Sequence, residues 1–146
     1  EWEASGGDIW ARMKARGAGM AERDLGRMLR GMEPVLHAAP YGFAVWAGGV
    51  LPFAAFATGA EAEGLTVVAL LAEMQAAGLG SETWARISLT IHSDLGAVGL
   101  TAAFATALAA ERISCNVIAG VHHDHLFVQW DRRDAALRVL KALADG

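Results

Sequence analysis

Residues 87–120 read "ISLTIHSDLGAVGLTAAFATALAAERISCNVIAG", and the fold of the chain turns on how this stretch is parsed. Ile87, Leu89 and Ile91 alternate with Ser88 and Thr90, the period-two pattern of a strand with one apolar and one polar face. Leu100, Phe104 and Leu108 then recur every fourth residue on an alanine-rich segment, which predicts a helix able to lie close against a sheet. Ile113, Cys115 and Val117 alternate again and predict a second strand. Between the first strand and the helix runs a turn, His92–Gly99, that carries two glycines, Gly96 and Gly99.

That turn contains His92, Ser93 and Asp94 side by side, residue types familiar from hydrolytic sites. Three neighbours at a strand end point in different directions, and the G-x-S-x-G elbow of an activated serine is absent, so a catalytic triad is not expected. Two other uses remain open. Ser93 or Asp94 can cap the helix, which is a purely structural role. Alternatively the unpaired amides of the helix N-terminus, made approachable by Gly96 and Gly99, can hold a small carboxylate.

Working outward, Leu126 and Val128 predict a further strand, and Asp131 is placed to cap a last helix with Ala136, Leu140 and Leu143 as its apolar stripe. The order strand, helix, strand, strand, helix is most of a ferredoxin-like βαββαβ unit: an α+β fold with helices on one face of an antiparallel sheet. A fourth strand is missing from the C-terminal end, so the first half of the chain or a second copy is expected to supply it. Upstream, Leu25, Met28, Leu29 and Met32 fall at helical spacing, ended by Gly31 and Pro34. Tyr41, Phe43 and Val45 predict a strand, and Phe53–Ala57 a short strand or helical turn. "GAEAEG" (59–64) predicts a polar turn, Leu65–Leu71 a strand, and "LLAEMQAAGLG" (70–80) a short helix stopped by Gly78 and Gly80. The division expected is an N-terminal extension over residues 1–19, a degenerate unit over 20–82 and a clearer unit over 83–146.

Bulk properties narrow the function. Of 146 residues 54% are apolar, enough for a packed core, and the net charge of −4 argues against a phosphate-tracking surface and nucleic acid. Trp46, Trp84 and Trp130, with Phe43 and Phe127, are therefore expected in the core rather than on a base-stacking platform. Cys115 is alone, which predicts a buried, reduced thiol, and with no evident leader peptide the expected location is cytoplasmic. The uncharged run from Val35 to Ala60 is interrupted by Pro40, Gly48, Gly49 and Pro52, so no membrane span is expected. No cofactor motif is visible: Gly17 and Gly19 lack the third glycine of a dinucleotide site. In "HHDH" (122–125), His123 and His125 would share a strand face and could bind one metal, but a hairpin bend between Val117 and Val128 is the better reading.

Together, "HSDLGAVGLTAAFATALAAERISCNVIAG" and "HHDHLFV" resemble the second repeat of small bacterial ACT-domain proteins, and "EGLTVVAL" (63–70) is similar to their first repeat. The resemblance covers Leu25 to Leu143. It implies two ferredoxin-like repeats and a non-enzymatic regulatory or sensor role. The ligand it implies is a small molecule, an amino acid above all, held where the turn of one unit meets a strand of another. Carried over position by position, the turn is Ser93, Asp94, Leu95, Gly96, Ala97, Val98 and Gly99, and the facing strand is Asn116, Val117 and Ile118. Asp94 is the expected partner of the ligand ammonium. A homodimer and a regulated protein acting in trans are the expected partners. The alternatives are a small metal-dependent enzyme using His123 and His125, or an interaction module without a ligand.

Overall fold

The computed structural model describes residues 23–146, so the expectation for residues 1–19 lies outside the described residues. Helix α1 (Leu25–Arg30) is capped by Asp24, whose side chain accepts the Arg27 N–H. Strands β1 (Pro34–Leu36), β2 (Tyr41–Trp46), β3 (Ala57–Glu61) and β4 (Gly64–Leu70) follow, then the short helix α2 (Leu71–Ala76). The second half comprises β5 (Trp84–Leu89), α3 (Leu100–Ala110), β6 (Asn116–Ala119), β7 (Asp124–Gln129) and α4 (Arg133–Asp145). All paired strands are antiparallel and lie in one sheet of order β3-β4-β2-β5-β7-β6, with β1 also pairing with β5.

The missing fourth strand comes from the beginning of the chain. Pro34, Val35 and Leu36 pair with Leu89, Ser88 and Ile87, and the His37 N–H donates to the Arg86 carbonyl at 2.9 Å. The second half therefore has the sheet order β6-β7-β5-β1, which is second–third–first–fourth of a ferredoxin-like unit. The same order recurs in the first half as β3-β4-β2-β5, where the pairing of Tyr41 with Trp84 joins β2 to the start of β5. The chain thus passes along one edge of β5 twice, as β1 and then, beyond Pro40, as β2. Where the first unit would carry its first helix, residues 47–56 are irregular.

Helices α1, α3 and α4 bury Met28, Phe104, Leu108 and Leu140, together with Met32 just beyond α1, against Ile87, Leu89, Leu126 and Val128. Met74 of α2 packs separately on Val67 and Ala69. Gly42 makes that approach possible, because a Cβ there would sit 2.6 Å from the Met74 sulfur. The polar face expected of β5 is not solvated: Arg86, Ser88 and Thr90 are all buried. Beside them, Tyr41, Phe127, Phe56, Phe43 and Trp84 form a third cluster. Three local expectations are corrected. Asp131 lies in a 3-10 turn, Trp130–Arg132, and does not cap α4, whose N-cap is Arg132. The "GAEAEG" turn is shorter than expected, because Gly59, Ala60 and Glu61 continue β3 against Thr66, Leu65 and Gly64. Ile113 and Cys115 precede β6, which begins at Asn116.

Candidate functional site

Asp94 organises the 92–99 turn. Its carbonyl accepts the Ala97 N–H at 2.9 Å, and its Oδ1 accepts the Gly96 N–H at 2.6 Å and Arg23 Nη2 at 3.1 Å. The Arg23 hydrogen bond, with the Gly96 amide second, holds the Asp94 carboxyl below the ordinary carboxylate range. Helix α3 begins only at Leu100. Its N-cap is Gly99, at φ 106°, where a Cβ would also press on Leu25 at 3.1 Å, so glycine is required twice over. Neither Ser93 nor Asp94 caps the helix, and among the described residues no side chain does. The first intrahelical bond runs from the Ala103 N–H to the Gly99 carbonyl, which leaves the N–H groups of Leu100, Thr101 and Ala102 without helical acceptors.

Between this turn and the β6–β7 hairpin is a cavity of about 140 Å³. Of the expected residues Ser93, Asp94, Leu95, Ala97 and Gly99 line it, whereas Gly96 and Val98 do not. Leu100 and Thr101 complete that side, and Ala119 and Asp124 form the other. None of the expected facing strand, Asn116, Val117 and Ile118, lines this cavity. Val117 packs into the helix-side core, Ile118 against the Tyr41–Phe127 cluster, and Asn116 lines a different cavity. Asp124 was not anticipated. It pairs with Ala119 across the hairpin, and burial pushes its carboxyl above the ordinary range. The bend at 120–123 that sets Asp124 opposite Ala119 is legible in the sequence, but its meeting with the 92–99 turn is not.

The histidines separate into two groups. His92 Nε2 lies 3.1 Å from His122 Nδ1, tying the turn to the hairpin bend, and His123 donates through Nδ1 to the Ile91 carbonyl at 3.2 Å. With His92 on His122, and Asp94 on Arg23 and Gly96, the 92–94 triplet forms no catalytic relay. His125 points instead into the buried face of β5, so His123 and His125 do not converge, and no group of three or more metal-ligating side chains does among the described residues.

On that face the proton positions follow from chemistry. Arg86 Nη2 can only donate, so His125 Nδ1, at 3.2 Å, accepts and carries no proton. The Ser88 hydroxyl, 2.8 Å from the same nitrogen, must then donate to it. That makes His37 Nε2 the donor to Ser88 Oγ, at 2.8 Å. Both imidazoles are neutral in this arrangement. Burial first, and the Arg86 charge second, lower His37 to about 4 and His125 to about 3. The guanidinium also donates to Tyr41 Oη at 2.8 Å and stacks 3.9 Å over the Phe56 ring, while its Nε has no hydrogen-bond partner among the described residues. Cys115 is half-buried, and burial raises its thiol to about 11, which leaves it unreactive.

A second cavity, of about 350 Å³, is lined by Phe43, Ser81, Glu82, Trp84 and Asn116, where the two units meet. No helix among the described residues is long and apolar enough to cross a membrane.

Family models described as the ACT domain match residues 20–86 and 80–142. Among solved structures, a Vibrio cholerae protein of unknown function, titled a possible transport protein, is 45% identical. It superposes with a TM-score of 0.74, over 82% of this chain and 95% of that one. A protein from Agrobacterium tumefaciens is 15% identical, with a TM-score of 0.61 over 73% and 84% of the two chains. The ligand-free regulatory subunit of aspartate kinase from Thermus thermophilus is 11% identical, with a TM-score of 0.54 over 77% and 97%. No curated protein matches the chain.

Proposed function

Because the chain belongs to the ACT-domain family, with two such domains in tandem between residues 20 and 142, we propose that it is a non-enzymatic regulatory module for a small amino acid. ACT domains are regulatory rather than catalytic and generally bind small molecules such as amino acids. The ligand site of this reading is the cavity between the 92–99 turn and the hairpin. The observation that carries it is the pairing there of uncapped α3 amides with Asp124, a part-buried carboxylate. The amides of Leu100 and Thr101 take the ligand carboxylate, helped by the positive end of the helix. Asp124 takes the ammonium. Asp94, engaged by Arg23 and Gly96, shapes the turn instead.

Size then restricts the side chain. A volume of about 140 Å³ holds roughly five water-sized groups at ~30 Å³ each, which suits glycine, alanine or serine and not an aromatic or long basic residue. Binding draws the turn and the hairpin together, and the shift between two arrangements of the units is what a regulated protein in trans would read. In this reading the module is cytoplasmic and acts as a homodimer through its sheet edges or its helix faces. Analytical ultracentrifugation should give twice the chain mass, and a single-chain mass would remove the dimer.

A thermal-shift panel of the twenty amino acids tests the ligand. A true ligand at about a hundred times its dissociation constant adds roughly 2.7 kcal/mol of stability. The expected outcome is a rise confined to the small amino acids and lost in Asp124→Asn. A flat response to all twenty would leave an interaction module without a ligand.

A further inference from the structure

The larger cavity, of about 350 Å³, belongs to neither the turn nor the hairpin bend and falls within the size range of small-molecule pockets. Phe43 of β2 and Trp84 of β5 meet there edge to face, with ring centroids 5.8 Å apart and planes inclined at 69°. Ser81 accepts the Phe43 N–H at 2.8 Å and donates its only hydroxyl hydrogen to the Glu82 carbonyl at 2.6 Å, so it has no proton left to offer a ligand. The polar groups left to a ligand include the Glu82 carboxylate and the Asn116 amide, for which no partner is found among the described residues. No Lys, Arg or His lines the cavity. Arg86, next on this face of β5, is held by Tyr41, His125 and Phe56. Aromatic rings present their negative faces to cations, and a carboxylate beside them repels phosphates and carboxylates. We infer that this cavity is a second ligand site, for a small organic cation of the alkylammonium class. Its walls come from β2, the 77–83 connection, the start of β5 and β6, so the occupant would bridge the two units.

The test is calorimetric titration of the full chain with choline and with its uncharged tert-butyl isostere. Choline should bind saturably and the isostere about tenfold more weakly. Glu82 is exposed, so Glu82→Gln should fold normally and weaken choline about tenfold, and Trp84→Phe should weaken it severalfold. Asp124→Asn should leave choline unaffected, which separates this site from the amino-acid site. Equal binding of the two probes, or no saturable binding below roughly 50 mM, would overturn the proposal. An unchanged affinity in Glu82→Gln would do the same. So would a loss in Glu82→Gln without any in Trp84→Phe, because that outcome is surface ion pairing alone.

Discussion

A guanidinium buried on the inner face of β5 has to be accommodated, and around Arg86 this is done by two neutral imidazoles, a serine, a tyrosine and a phenylalanine ring. The arrangement requires His125 to be unprotonated, since a proton on its Nδ1 would face Arg86 directly, and burial near the same guanidinium disfavours a charge on His37. Both pKa values are lowered on folding, from 6.5 to about 4 and about 3, so the native state binds fewer protons than the unfolded chain. Stability is therefore complete above about pH 6.5 and is lost as the pH falls below it, toward the two folded values. His37 alone is worth on the order of 3 kcal/mol by that route. Urea unfolding from about pH 7.5 down to about pH 5 should show a steady loss, with a flatter slope in His125→Gln. An equal slope in that variant would show that His125 is not one of the titrating groups. At the turn the logic of charge is different. Asp94 and Asp124 line the same cavity, yet one is pulled down by Arg23 and Gly96 while burial raises the other.

Helix α3 shows how an element can be legible while its function-bearing end is not. Its stripe of Leu100, Phe104 and Leu108 is buried as the spacing predicts. Its start is set by Gly99, in a left-handed conformation with Leu25 of α1 against it. Capping by Ser93 or Asp94 is one of the two uses the sequence leaves open, but the Asp94 carboxylate is engaged within the turn by Gly96 and by Arg23. Gly99→Ala should cost about 1–3 kcal/mol, through backbone strain and the clash with Leu25. Gly80→Ala, at a position with open space and no positive φ, should cost little. Chemical denaturation of both variants measures the difference, and equal losses would refute the special role of Gly99.

At the scale of the molecule, the two units share their strands. The second takes its fourth strand, β1, from residues that precede the first unit's β2, and the first takes its own from the start of β5. Met28 and Met32 from that same N-terminal stretch are completely buried among α3, α4 and β5. A division of the chain after residue 82 therefore removes a strand from each unit's part of the sheet. Expressed alone, residues 20–82 and 83–146 should each remain largely unfolded by circular dichroism, and mixing them should restore the fold. Cooperative melting of either half in isolation would contradict the interleaving. Strands β3 and β6 end the sheet. Each is short, and β3 is exposed and carries Glu61, features that discourage indiscriminate edge pairing.

The chain by itself determined the unit: period-two and period-four apolar patterns from Ile87 to Leu143 specify strand, helix, strand, strand, helix, because those periods report which residues face a core. It also specified the glycine-bearing turn, since no other residue tolerates the backbone at Gly99. Tertiary structure alone decided that β1 closes the second unit, that the polar face of β5 is buried, and that Asp124 faces the turn. Each depends on residues distant in sequence meeting across the sheet, and no local period records such a meeting. The polar residues Arg86, Ser88 and His125 look solvated one strand at a time, and become a buried network only when β1, β2, β5 and β7 are brought side by side.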